Sequence, residues 1–339
     1  MNMYMRKSRL IVVCLYVLLY SSVQSQENKS IVFSALFYNV ENLFDTIDNS
    51  LKNDNDFLPD SKKKWNTWKY YTKLTDISQV IVAAGQWHSP DIVGLCEVET
   101  AACLWDITHK TNLSRLQYSY IHYESPDNRG IDVGLLYNPA TFSVLESYPI
   151  CVSNDSLQLL TRHVLYVKGI MRTVSDTLHV FVCHFPSRMG GEAKSEHKRI
   201  HAARVVRKAI DSLYAAHSQV QHVLVMGDFN DSPQNSSISD FLQARAFTSN
   251  CPHCLVSVVD TTFPGTHYYK GEWSNLDQTM VSTALFNSYR VKQTIVREAF
   301  LTKSKKGSTQ IQPYRTYNGQ YYAGGNSDHL PVIIQFLEK

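Results

Sequence analysis

Five short β-rich apolar runs, Ile31–Tyr38, Asp91–Cys96, Asp132–Tyr137, Leu178–His184 and Val223–Met226, are spread along the first two thirds of the chain and bounded by polar turns. Each is too short and too uniformly apolar to be a half-exposed strand, so each reads as a strand buried on both faces. Between them the apolar period changes. Leu74, Ile77, Ile81 and Ala84 recur at helical spacing, as do Ile200, Ala203, Val206, Ile210 and Leu213. Strands buried on both faces and interleaved with amphipathic helices predict an α/β sandwich. With 339 residues and 44% hydrophobic content the chain can bury a large core, and 14 Gly and 11 Pro give no low-complexity or repeat signature. The polar stretch Asp45–Lys64 and the Gly, Tyr and Ser-rich stretch Leu301–Ser327 read as surface loops, the second as an ordered loop or lid, not as interdomain linkers. One domain over residues 26–339 is therefore expected.

Residues 1–25 fall outside that domain. Arg6, Lys7 and Arg9 precede the apolar run Leu10–Leu19, and Val23-Gln24-Ser25 supplies a cleavage-site pattern, which together predict a secretory signal peptide. The apolar run is shorter than the roughly 20 residues that span a bilayer. An exported protein, periplasmic or extracellular and without stable membrane insertion, is expected. Of 33 Lys and Arg, three sit in that segment, so 30 remain against 30 Asp and Glu. Such balance lacks the basic excess of many nucleic-acid binders, although Lys62-Lys63-Lys64 can still steer a polyanion. Beyond Cys14 there are six cysteines: Cys96, Cys103, Cys151, Cys183, Cys251 and Cys254. An oxidising compartment permits disulfides. Cys251-Pro-His-Cys254 lies in a polar loop and reads as a local disulfide or two idle thiols, whereas Cys96 and Cys183 lie inside strands and read as core.

Polar residues gather where the strands end. Asn39 and Glu41 follow the first strand, Glu97 and Glu99 the second, and His184 closes another; Asp228 and Asn230 follow Val223–Met226, with Asp277, Asp328 and His329 later. Oxygen donors without thiolate suit a hard divalent cation, Mg²⁺ first, with Mn²⁺ or Ca²⁺ sharing the preference. The two histidines in the set suit proton transfer or anion stabilisation.

The words around these residues are more specific still. Tyr38-Asn39-Val40-Glu41-Asn42, Glu97 after Gly94-Leu95-Cys96, His184-Phe185-Pro186-Ser187-Arg188, Gly227-Asp228-Phe229-Asn230-Asp231, Asn275-Leu276-Asp277-Gln278 and Ser327-Asp328-His329-Leu330-Pro331-Val332 occur in order. In these motifs the chain resembles the endonuclease/exonuclease/phosphatase family from about Ile31 to its end. The resemblance implies a four-layered α/β sandwich of two facing sheets flanked by helices, as in pancreatic-type deoxyribonuclease. It also implies divalent-metal-dependent hydrolysis of a phosphate ester. By position, Glu97 would be the principal metal ligand, with Asn39, Glu41 and Asp328 nearby. Asp228 and Asn230 would bind the nucleophilic water or a second metal. His329, held by Asp277, would be the general base or a phosphate contact, and His184 would contact the scissile phosphate.

Three further residues are candidate substrate contacts. Arg129 and Arg188 carry the planar fork that suits phosphate, each with a surface ion pair as the alternative, and Trp273 could wall a base or sugar or pack under a loop. Tyr314, Tyr317, Tyr321 and Tyr322 offer stacking surfaces for a lid, and Lys62–Lys73 mixes basic and aromatic residues as a nucleic-acid contact or a solvated helix entry would. A secreted phosphodiesterase acting on DNA or RNA is the first reading. A phosphomonoesterase or lipid phosphodiesterase on the same residues is the second, and a catalytically silent binding protein the third. Retention of Glu97, Asp228 and His329 counts against silence.

Overall fold

The computed structural model describes residues 30–216, 221–247, 251, 253–304 and 310–339; the expected signal peptide lies outside them. Two mixed β-sheets face one another. The six-stranded sheet runs in the order β14 (Arg290–Ile295), β19 (Val332–Leu337), β1 (Ile31–Leu43), β2 (Ile92–Val98), β4 (Asp132–Tyr137) and β3 (Ser119–His122). The seven-stranded sheet is β5 (Phe142–Ile150), β6 (Val164–Met171), β7 (Asp176–His184), β8 (His222–Asp228), β13 (Asp277–Ser282), β10 (Leu255–Val258) and β9 (Ala244–Arg245). Three two-stranded ribbons complete the strands: β11 (His267–Tyr269) with β12 (Glu272–Ser274), β15 (Thr302–Ser304) with β16 (Ile311–Pro313), and β17 (Tyr317–Asn318) with β18 (Tyr321–Tyr322).

Each large sheet contains a central parallel pair joined by a helix, because parallel neighbours need a long crossover. Helix α1 (Thr67–Gly85), capped by the Asn66 side chain on the Lys69 amide, links β1 to β2, and α3 (Glu192–Ala216) links β7 to β8. The shorter helices are α2 (Ala101–Lys110) and α4 (Thr283–Ser288).

Alternation along the strands sorts the core. On β7 and β8, Val180, Val182, Leu224 and Met226 face the other sheet and join Phe37, Leu95 and Leu135. Their neighbours Phe181, Cys183, Val223 and Val225 point outward onto Ala203, Val206 and Ile210 of α3. Two-sided burial of these runs is what their unbroken hydrophobicity required. Leu74, Ile77 and Ile81 of α1 are likewise buried, so helices cover both outer faces and the four-layered sandwich is observed. Cys96 and Cys183 are core residues, and Cys251 and Cys254 form a disulfide.

Candidate active site

The strand register assembles the site before any side chain is considered. In the seven-stranded sheet His184 pairs with Asp228 across the parallel β7–β8 ladder, and Asp228 pairs with Asp277 across β8–β13. In the other sheet the β1–β2 ladder carries Asn39 beside Cys96, one residue short of Glu97. His184, Asp228, Asn39 and Glu97 lie toward the carboxyl ends of the central parallel strands, where open α/β sheets present ligand sites, and Asp277 opens the antiparallel β13 beside them. The β1–β2 ladder is irregular between Asn39 and Leu43 and the β2–β4 ladder between Cys96 and Val98, and Glu41 (φ 51°), Asn42 (φ 57°), Glu97 (φ 64°) and Asn230 (φ 50°) adopt left-handed backbone. Bulges of this kind re-aim side chains beside functional sites.

Asp228 is the hub. Its Oδ2 accepts a 3.0 Å hydrogen bond from Asn39 Nδ2, and its Oδ1 accepts one of 2.9 Å from the Asn230 amide. Two imidazole Nε2 atoms converge on the same Oδ2, His184 at 3.7 Å and His329 at 3.9 Å. His184 Nε2 also stands 3.9 Å from Glu97 Oε1, while Glu97 Oε2 accepts the Asn42 amide at 2.9 Å. These gaps exceed direct hydrogen bonds and match groups bridged by a water or a phosphate oxygen. His329 Nδ1 is 2.7 Å from Asp277 Oδ2, which fixes the ring and leaves Nε2 toward the cleft. Asp328 Oδ1 is 4.0 Å from that Nε2, and Asp328 Oδ2 accepts Arg315 Nη2 at 2.8 Å.

Charge is unevenly distributed over this cluster. Burial disfavours the His329 imidazolium, but Asp277, Asp228 and Asp328 outweigh it and hold its pKa well above the ordinary value. Burial, with Arg162 and Arg129 adding, pushes His184 well below its usual range. Burial and the adjacent Asp328 push Glu41 up to about 7, and burial with Asp277 takes Asp228 up to about 6 against the pull of His329. Burial opposes ionisation of Asp328, yet His329 and Arg315 keep it below the usual carboxylate range. Carboxylates this crowded and buried are short of positive charge, so the donor set fits a hard divalent cation. Glu97, Asp228 and Asp328 line one cleft and are the residues that would hold it.

The other sequence candidates divide. Asn39 and Asp277 lie beneath the cleft lining as supports. Glu41 accepts the Thr316 amide at 2.7 Å and stands 3.5 Å from Arg315 Nε, so it steadies Asp328 through Arg315. Asn230 lines the cleft with its side-chain amide on the Phe185 carbonyl, and Arg129 lines the rim. Arg188 is not offered to substrate: it donates to the Asn230 carbonyl at 2.6 Å and to Glu192 at 2.9 Å, which clamps the loop after β8. Trp273 is no wall either, since it packs between Phe263 and Tyr268 at 4.9 and 5.2 Å between ring centroids. Glu99 accepts the Asp45 amide away from the cleft.

Of the tyrosine-rich stretch, Tyr314, Tyr317 and Tyr322 serve as scaffold, and Tyr321 stays exposed. Tyr317 is buried against Trp65 and Tyr322 and donates to the Lys63 carbonyl, and Tyr314 donates to the Ala323 carbonyl. The basic-aromatic stretch it meets is neither solvated nor a nucleic-acid contact along its inner face. Trp65 is fully buried, and Lys73 is buried with its ammonium on Thr316 and the Asn326 carbonyl. Sequence reading missed His267, whose ring lies 4.6 Å from that of His329 and whose pKa burial and His329 lower to about 4. It also missed Arg315 and the buried Arg162–Asp127 pair at 3.0 Å. Arg162 had a legible signal, a cation two residues before the apolar run that becomes β6; His267 opens the short ribbon strand β11 and Arg315 sits between ribbons, neither with such a signal.

The sequence pattern of the Endonuclease/Exonuclease/phosphatase family matches residues 34–339. The chain belongs to that family. It is accordingly a divalent-metal-dependent hydrolase of phosphate esters. No curated protein sequence matches the chain. Among solved structures it is similar to a mannosyl-6-phosphatase of Bacteroides thetaiotaomicron, at TM-score 0.59 and 19% identity over 90% of this chain and 99% of that one. The human Nocturnin catalytic domain with bound sulfate superposes at TM-score 0.55 and 17% identity, covering 91% and 95%. A truncated TDP2 of Caenorhabditis elegans gives 0.56 and 14%, covering 90% and 97%. At these identities the structural likeness speaks for the shared fold.

Proposed function

We propose that the protein is an exported phosphoesterase, Mg²⁺-dependent by the hardness of its donors, acting on a compact phosphate ester about the size of one sugar or nucleotide unit. The observation that carries the chemistry is the convergence of His184 and His329 on Asp228 beside Glu97 and Asp328. A divalent cation held there supplies positive charge to a phosphoryl oxygen and lowers the barrier to attack. The chain's own groups do the rest. Asp228, oriented by Asn39 and the Asn230 amide, accepts the proton of the attacking water. His329, among three carboxylates and locked through Nδ1 by Asp277, presents a charged Nε2–H to the phosphoryl oxygens, so phosphate contact is favoured over general base for this residue. His184 donates from the opposite side, and Arg129 at the rim adds charge that a phosphate would meet on entry.

The cleft's form supports a small substrate. It has a volume of about 450 Å³, within the range of small-molecule pockets, and is walled by Leu159, Leu160 and Met189. A second hollow of about 540 Å³, lined by Tyr268, Lys270 and Arg315, shares Asp328 with it and offers room for a leaving group. The phosphatase named among the structural neighbours agrees with this reading. The sequence-first alternative, a DNA or RNA phosphodiesterase, would engage a strand end at the same cleft. The Cys251–Cys254 disulfide supports export. Parallel assays on a hexose phosphate, a dinucleotide and duplex DNA, each with Mg²⁺, test the proposal. Preference for the hexose phosphate or the dinucleotide is expected, and preferential cleavage of duplex DNA would overturn the compact-substrate reading.

A further inference from the structure

The loop between β3 and β4 begins and ends on groups that the reaction does not use. His122 closes β3, Asp132 opens β4, and Glu124 lies between them. One nitrogen of His122 and one oxygen of each carboxylate all lie within 4.8 Å of one another. The His122 and Asp132 side chains are only 3% and 2% exposed, with Nε2 and Oδ2 3.4 Å apart. His122 Nε2 and both Asp132 oxygens are buried without a hydrogen-bond partner. His163, which immediately precedes β6 of the other sheet, interacts electrostatically with Asp132, and its Nδ1 too is buried without a hydrogen bond. The nearby cation, Lys52, spends its ammonium on the Ser125 and Asp127 carbonyls at 2.7 and 3.0 Å.

Buried polar atoms are ordinarily satisfied, and a buried imidazole nitrogen and the Asp132 carboxylate without hydrogen bonds, beside the exposed Glu124 carboxylate, are costly unless something binds them. We propose that His122, Glu124 and Asp132 form a second metal site that takes a borderline divalent cation of the Zn²⁺ class. Imidazole with carboxylate and no thiolate suits that class, and differs from the oxygen-rich set at the catalytic cleft. None of these three residues lines the cleft, so the site is separate. Its place gives it a structural task. A cation there would pin both ends of the segment bearing Asp127, which holds Arg162, and Arg129, and so would fix the cationic rim of the cleft from below.

The test is metal content and binding, not turnover. Chelator-stripped Glu97→Gln protein, weakened at the catalytic set, is titrated with Zn²⁺ by calorimetry, and with Co²⁺ by visible absorption. One tight Zn²⁺ per chain is expected, with the intense Co²⁺ bands of a low-coordinate nitrogen-containing site. Adding His122→Ala or Glu124→Gln should weaken that binding by more than the roughly 10–100-fold that loss of an outer-shell partner costs. Glu124 is exposed, so Glu124→Gln keeps the fold intact should His122→Ala not, as circular dichroism would show. Absence of tight Zn²⁺ from Glu97→Gln, or binding unchanged by Glu124→Gln in folded protein, would overturn the proposal and leave His122 as a simple side-chain partner of Asp132.

Discussion

His329 and Asp277 meet at 2.7 Å, and their bond defines which imidazole nitrogen faces the cleft. Asp277→Asn and His329→Ala should each fold, since both sit at a strand end or in a loop, yet His329→Ala should lower kcat by about 10²–10⁴-fold, the range for losing a proton-handling group. Steady-state kinetics beside a thermal melt separate that from instability. The two arginines flagged in the sequence make a sharper pair. Arg129 is exposed on the cleft rim, so Arg129→Ala should raise KM with little change in melting temperature. Arg188 is tied to Asn230, Glu192, Asp231 and Asn235, so Arg188→Ala should leave KM alone and lower the melting temperature by roughly 2–4 °C. Reversal of this pattern would return Arg188 to the substrate.

The turn after β8 depends on α3. Arg199 and Asp231, both fully buried, meet at 2.7 Å, and Arg199 also donates to Ser195 and the Glu192 carbonyl. Arg199→Ala strands the Asp231 carboxylate and should cost about 3–5 kcal/mol in denaturant unfolding. Asp260 pins the segment after β10: its carboxylate accepts the Thr262 amide and hydroxyl and the Ile295 amide of β14. Burial pushes its pKa up, but these bonds and Arg297 prevail and hold it below the usual value. A depressed carboxylate stabilises the fold above its unfolded pKa of about 3.9 and loses that contribution as pH falls through the folded value. Urea midpoints of Asp260→Asn should therefore lie below wild type at pH 7 and converge with it under about pH 4. The elements most legible in the sequence are those whose alternation is erased by two-sided burial. β5 carries exposed Leu145 and Tyr148 at a sheet edge and β6 is broken by Lys168, so neither shows the same unbroken run. The small ribbons are held by tertiary contacts, such as Thr316 on Glu41, that no local pattern encodes.

Across the whole molecule, the architecture follows from two helix-crossed parallel pairs placed back to back, so that four strand ends from two sheets meet at one edge. That convergence explains why Glu97, Asp228 and His184 could be found from their positions after apolar runs, while Arg315 and His267 could not. His267 opens the β11–β12 ribbon and Arg315 lies between β16 and β17, so both reach the cleft only once the ribbons have packed. It also explains why three short words far apart in sequence, holding Glu97, Asp228 and His329, meet in one cleft. The decisive experiment is hydrolysis of a chromogenic phosphate monoester and diester by the wild-type chain and Asp228→Asn, with Mg²⁺ and after EDTA. Turnover that vanishes with EDTA, returns with Mg²⁺ and falls by about 10²-fold or more in folded Asp228→Asn is expected. Turnover that survives EDTA, or an Asp228→Asn variant within a few-fold of wild type, would contradict the assignment of this cleft as the catalytic centre.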